Sequence, residues 1–262
     1  MLKTYRYHFI EKESDITIIS ESKKAISRAK KELFNQRELL EEYIANHKKF
    51  LTSFAPVEAR SDHEIIKLMS NASYHCNVGP MAAVAGALAD LMLKVMKQKD
   101  NSFSNPAKVA LVENGGEIGI DSEQSMRIAL YAGYNELNSN IGFLIEKNDC
   151  PIGIATSSAT IGHAISFGEA DAVTIFAKNA TLADAAATKI ANLVKGKDIE
   201  KSIKKGLDAV DDLVDVRGAF ISRENKIGKT GNLPKMIKIQ NQNNKLIKGK
   251  IKNILSDNFN IL

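Results

Sequence analysis

The longest uninterrupted apolar stretch of the chain runs from Val78 to Ala89, twelve residues that stop at Asp90. Pro80 suits the first turn of a helix, where its missing N–H would be unpaired in any case. The body that follows, MAAVAGALADLMLKVM, is apolar nearly all round. Such a helix must be buried on most sides, and its small residues let other backbone pass close by. Other elements therefore have to surround it. The stretch is well short of the roughly 20 residues that a membrane span needs. With 262 residues, 44% of them hydrophobic, the chain can enclose this helix in one α/β or α+β domain. Aromatic residues make up only 6%, so Ala, Val, Ile and Leu must fill the core.

The formal charge of +5 points to nucleic acid only until it is located. From Arg223 onward there are nine Lys or Arg and two acids, so the first 222 residues hold 27 basic and 29 acidic side chains. The excess belongs to a tail and not to a recognition face, which argues against a nucleic-acid partner. The N-terminus, MLKTYRYHFIEKES, is polar and charged where a signal peptide would carry its apolar core. The expectation is a soluble cytoplasmic protein with no membrane partner. Cys76 and Cys150 stand 74 residues apart with no second Cys near either, so neither structural zinc nor an obligatory disulfide is expected.

Thr4 to Ile10 and Asp15 to Ser20 read as an opening hairpin, and Ser22 to about His47 as a long amphipathic helix with a stripe at Ile26, Ala29, Leu33, Leu40 and Ile44. A second helix is expected from about Asp62 to Tyr74, and a third beginning abruptly at Gly79-Pro80. Short apolar runs then predict a sheet: Lys108 to Val112, Met126 to Ala132, Gly142 to Lys147, Ile152 to Thr156 and Asp171 to Ala177. Helices follow at about Leu182 to Val194 and Ile199 to Val210, then strands near Val214 to Ser222 and Lys235 to Gln240. Residues 1–240 are expected to form one domain, and 241–262 a basic Asn/Lys-rich tail that either docks through its apolar residues or stays disordered. The Ala-rich helices containing Ala89-Asp90 and Ala183-Asp184 resemble each other loosely.

Four segments could carry chemistry. In VENGGEIGI, Asn114, Gly115 and Gly116 are either a tight hairpin turn or a place where backbone N–H groups approach a ligand, flanked by Glu113 and Glu117. In IATSSATIGHAISFG, the hydroxyls of Thr156, Ser157, Ser158 and Thr160 follow a short buried strand and suit a phosphate or diphosphate, unless they form an ordinary turn. His163 beyond them titrates near neutral pH and could act as acid or base. In NATLADAAATKIANLV, Asp184 and Thr188 share one helical face and suit a hard cation such as Mg2+. Alternatively, Thr181 and Asp184 form an acidic capping box. In SYHCNVGPM, Cys76 precedes a helix start that could stabilise a thiolate, or is an inert buried cysteine.

Taken in order, VGPMAAVAGALAD, VENGGEIGI, ATSSATIGHAISFG and ADAVTIFAKNATLADAAAT are closely similar to an uncharacterised family inside the ApbE-like superfamily. The resemblance spans about Tyr5 to Ile239. It implies an α+β fold related to the tunnelling fold, a mostly antiparallel sheet packed against helices. The better known relatives, the ApbE flavin transferases, attach FMN from FAD to a threonine of an acceptor protein in a Mg2+-dependent reaction.

By that resemblance Asp184 and Thr188 match metal-binding positions, Gly115 and Gly116 a Gly-Gly-Asp turn in which Glu117 replaces the aspartate, Thr156 and Ser157 a Thr-Ser pair, and His163 a later histidine. The transferases continue from that histidine with Asp-Pro-x-Thr-Gly, whereas this chain reads Ala164-Ile165-Ser166-Phe167-Gly168. The resemblance implies a Mg2+-dependent site for FAD or another nucleotide diphosphate, with FMN transfer or related phosphoryl chemistry, and an acceptor protein as partner. Tyr131, Tyr134 and Phe167 are neighbours that could stack on a flavin. Two alternatives stand beside it: sulfur trafficking in cysteine or homocysteine biosynthesis through Cys76, and a non-catalytic flavin or nucleotide carrier. Open antiparallel edges would allow a homo-oligomer.

Overall fold

The structure is a computed structural model; it describes residues 2–101, 103–130, 141–158 and 168–239, and the backbone of 259–261. β1 (Tyr5–Glu11) and β2 (Ser14–Ser20) form the opening hairpin. α1 (Lys23–Asn46) is capped by the Ser22 side chain, which accepts from the Ala25 N–H. α2 (Lys48–Thr52) and α3 (Glu64–Cys76) follow. The apolar helix does not start abruptly at Pro80. Residues Pro80–Ala83 form a 3₁₀ turn, and α4 occupies Val84–Lys97.

β3 (Val109–Asn114), β4 (Glu117–Ser122), β5 (Met126–Ala129), β6 (Ile141–Ile145), β7 (Ile152–Ser157) and β8 (Ala172–Ala177) come next. α5 (Ala180–Leu193) and α6 (Ile199–Asp211) lead into β9 (Val216–Arg223), β10 (Lys226–Gly231) and β11 (Lys235–Ile239). β12 (Phe259–Ile261) is a short strand within the expected tail, and its backbone pairs with β11.

The sequence suggested one sheet, whereas the described residues form two. Eight strands run in the order β1-β2-β3-β4-β7-β8-β9-β10, and four in the order β12-β11-β6-β5, with every pairing antiparallel. The large sheet contains the same connection twice: two strands, helices, two strands. β1-β2 and β3-β4 bracket α1 to α4, and β7-β8 and β9-β10 bracket α5 and α6.

Because strand side chains alternate faces, the inner strands of this sheet serve two cores. Ile16, Ile18, Ala110 and Val112 pack with α1, α3 and α4, while Val173, Ile175, Ala219 and Ile221 pack with α5 and α6. The opposite face carries Ile19, Leu111, Ile118, Ile154, Phe176 and Phe220, which meet Ile128, Phe143 and Ile145 of the small sheet. The result is three layers, helices over a large sheet over a small one. No single helix among the described residues is long and apolar enough to cross a membrane, and α3 with the segment Pro80–Lys97 is bent by 105°.

Candidate functional site

The site begins where α4 and α5 cross. A Cβ on Gly86 would lie 2.2 Å from the Ala180 carbonyl oxygen, so only glycine lets these two backbones approach so closely. A Cβ on Gly153 of β7 would likewise lie 1.9 Å from the Asn179 carbonyl carbon, which seats the start of α5 against the sheet. At the crossing each helix supplies a carboxylate to the other. Asp90 Oδ1 accepts from the Ala180 N–H at 2.9 Å, and its Oδ2 accepts from the Thr181 N–H at 2.8 Å and from the Thr181 hydroxyl. In return Asp184 Oδ2 accepts from the Gly86 N–H at 3.0 Å, and the Ala85 N–H also donates to this carboxylate. Helix N-termini carry unpaired N–H groups and a positive dipole end, so a carboxylate is well placed at both ends.

This clasp corrects the capping-box expectation. The N-cap of α5 is Asn179, whose side chain accepts from the Leu182 N–H at 2.9 Å, and the Thr181 hydroxyl is turned to Asp90. Asp184 caps a different helix from its own. The sequence reading passed over Asp90, although its signal was present in the matching Leu-Ala-Asp runs at 88–90 and 182–184. Burial raises both carboxyls above the usual range. For Asp184 the charge of Asp90 adds to that and the Gly86 and Ala85 N–H groups oppose it; for Asp90 the bonds from Thr181 and Ala180 oppose it.

The β3–β4 turn reaches the same place. Asn114 pairs with Glu117 across Gly115 and Gly116, which have φ of 71° and 129°, so the glycines do form a tight hairpin turn. The Asn114 side-chain amide donates to the Ala85 carbonyl at 3.2 Å, tying this turn to the start of α4 beside the Asp184 contact. On the opposite face of the sheet Gly116 also lines a small gap of about 10 Å³, room for no more than a water, with Ile118, Ile128, Ala129, Leu130, Phe143, Ile154, Thr156 and Thr174. The gap lies between the two sheets. The Thr156 and Thr174 hydroxyls on its wall are hydrogen-bonded to each other at 2.9 Å, a pair set by their cross-strand register.

Strand alternation then separates the predicted hydroxyls. Thr156 faces the gap, whereas Ser157, next along β7, is on the helix side with Ala155 and the α5 core. Ser158 is the last described residue of that segment. Thr160, His163 and Phe167, together with Tyr131 and Tyr134, lie outside the described residues.

Of the two readings of Cys76, the structure matches the inert buried cysteine. It is the last residue of α3, at the negative end of that helix and not at the positive start of the next, and Asn77 closes the helix in the left-handed conformation. The side chain is 0% exposed, and burial pushes its thiol up to about 12, so it is a protonated core residue.

Comparison with known proteins assigns the chain to a family. The family model described as AbpE bacteria matches residues 1–224. A UPF0280 protein of Methanococcus vannielii is 38% identical over 232 residues, covering 87% of this chain and 91% of its own. A UPF0280 protein of Methanocaldococcus jannaschii is 38% identical over 237 residues, 89% of this chain and 93% of its own. The chain belongs to this ApbE-like family. Among solved structures, the flavinyl transferase ApbE of Pseudomonas stutzeri in its apo form superposes with a TM-score of 0.56 at 15% identity, covering 88% of this chain and 94% of that one. The ApbE protein of Thermotoga maritima gives 0.54 at 13% identity, covering 87% and 97%. The α+β architecture with a mostly antiparallel sheet against helices is therefore the ApbE fold.

In this ApbE-like chain the donor chemistry at α5 fits a hard divalent cation. Asp184 and Thr188 offer a carboxylate and a hydroxyl one helical turn apart, both oxygen donors, and neither is fully buried. A carboxylate held in a poorly solvated place gains from a cation beside it. Among the described residues no group of three or more His, Cys, Asp or Glu could hold a metal. The remaining ligands would have to come from water, backbone or substrate oxygens, as Mg2+ accepts.

Proposed function

We propose that this chain is a Mg2+-dependent enzyme acting on FAD or a closely related nucleotide diphosphate, with transfer of FMN to an acceptor protein as its reaction. The observation that carries this reading is the convergence at residues 85 and 86. The α5 carboxylate at Asp184 and the β3–β4 turn at Asn114 are both tied to the start of α4. That turn continues through Gly116 to the paired threonine hydroxyls between the two sheets. A diphosphate needs hydroxyl and N–H donors plus charge neutralisation, which the glycine turn and the Asp184–Thr188 pair would supply.

Asp184 and Thr188 would hold the cation, whose chemistry is to neutralise charge on a diphosphate as its bond breaks. The Gly86 N–H fixes the carboxylate from behind. Thr156 would bind and orient the substrate. His163, assigned by resemblance, would take the proton of the acceptor hydroxyl.

The test is a calorimetric titration of the purified protein with FAD, with and without Mg2+, repeated on Asp184→Ala. Magnesium-dependent binding that the variant loses supports the reading. Binding with no product over long incubation with a candidate acceptor points to a carrier, and no binding under either condition leaves the fold as the only inheritance.

A further inference from the structure

Asp90 and Asp184 occupy matching places in matching Leu-Ala-Asp runs, and each caps the other's helix, yet their carboxylates are not equally engaged. Asp90 has both oxygens in use: Oδ1 takes the Ala180 N–H, and Oδ2 takes both the N–H and the hydroxyl of Thr181. The residues that donate to Asp184 are Ala85 and Gly86, which have only backbone N–H groups to give. The asymmetry lies in the donors. A threonine stands on the α5 side of the clasp, and an alanine and a glycine on the α4 side.

We infer that Ala85 and Gly86 determine which aspartate can accept a cation: by offering no side-chain donor they leave Asp184 with coordination capacity, while Thr181 commits Asp90 to holding the helices together. This rests on the reading that Asp184 is the cation ligand. A carboxylate has about four lone-pair sites, and each filled by a hydrogen-bond donor is removed from metal coordination. Gly86 cannot gain a side chain without striking the Ala180 carbonyl. Ala85 is part-exposed, so a hydroxyl can be added there, next to an N–H already bonded to Asp184. The relation copies that of the Thr181 N–H and hydroxyl to Asp90.

The experiment is Mn2+ binding followed by electron paramagnetic resonance, with thermal unfolding of the same samples. Wild type is expected to bind Mn2+, and Asp184→Ala to lose it. Ala85→Ser is expected to weaken binding at least tenfold with an unchanged or raised unfolding midpoint, because the added hydroxyl brings Asp184 to the three donors that Asp90 has and strengthens the clasp. Ala85→Val, which adds bulk without a donor, should bind Mn2+ within about twofold of wild type. Thr181→Val should lower the midpoint and keep the wild-type affinity.

Wild-type affinity in Ala85→Ser overturns the inference alone. So does loss of binding in Thr181→Val, which would show that the two aspartates do not divide the work. If the serine variant does not fold, Thr181→Val and Asp184→Ala still decide. Absence of Mn2+ binding in the wild type overturns both this inference and the metal reading on which it rests.

Discussion

Glu113 is a carboxylate in the middle of a sheet, 4% exposed, on the face away from the helices. Burial pushes it up to about 8. Arg6 and a hydrogen bond with Thr17 oppose the rise, and the charges of Asp15 and Glu117 add to it. His8, opposite Thr17, pairs with Asp15 at 2.7 Å. In the unfolded chain the same group titrates near its ordinary 4.5. The folded state therefore keeps a proton that the unfolded state gives up. That contribution to stability is whole below the unfolded value and falls away as pH rises to about 8. Glu113→Gln should flatten this decline and stabilise the protein at pH 7 by about 2 kcal/mol, measured by urea unfolding at pH 5, 7 and 8.5. A variant whose stability keeps the wild-type slope would show that Glu113 is not the group responsible. Cys76 belongs to the same scale: as a buried, protonated thiol it should resist iodoacetamide until unfolding, while part-exposed Cys150 is alkylated first, as peptide mass spectrometry would show.

Between elements, packing depends on glycines that no local rule singles out. Gly86→Ala forces a methyl against the Ala180 carbonyl, and Gly153→Ala against Asn179, so each should cost about 2 kcal/mol or more and lower the unfolding midpoint by several degrees. Differential scanning calorimetry checks both. Most helices and core strands could be read from the sequence, because their apolar spacing is strong and their burial follows from it. α1, for example, buries Ala25, Ile26, Ala29, Leu33 and Leu40 close to the expected stripe. β10 was missed because KIGKTG at a sheet edge is polar and glycine-containing, with no apolar face to announce it. The turn at Asn114 to Gly116 was legible because its residue types are restricted, whereas Thr156 and Ser157, expected to lie in a polar loop, belong to β7 and face opposite ways. The role of Asp184 as a cap was not, since local capping rules look three residues along one chain segment and its donors lie 98 and 99 positions away. The placement of His163 in the fold belongs to residues outside those described.

For the whole molecule, the two sheets are joined through an aromatic group. Phe143 of the small sheet meets Phe176 at 4.7 Å and Phe220 at 6.1 Å between ring centroids, both edge-on, and all three are fully buried. Phe143→Ala should cost about 3–5 kcal/mol and loosen the small sheet first. Because Ile128, Ala129 and Leu130 line the same gap as Phe143, the amides of β5 and β6 should exchange faster as stability falls, a pairing that calorimetry and hydrogen exchange can test on one sample. The second sheet escaped sequence analysis for a physical reason: its apolar runs look like those of the first, and only three-dimensional pairing assigns them to a separate layer.

The reciprocal clasp also bears on how the chain comes to exist as a folded object. The first turn of α4 is bonded by a side chain from α5, and that of α5, beside its own cap at Asn179, by a side chain from α4, so each half of the repeated connection supplies part of the other's helix start. The halves are mutual templates, not independent building blocks. A chain divided between β6 and β7 should yield two fragments that are unstructured apart and regain the native circular dichroism only when mixed. In the intact protein, the amides of Ala85, Gly86, Ala180 and Thr181 should exchange with solvent at one common rate.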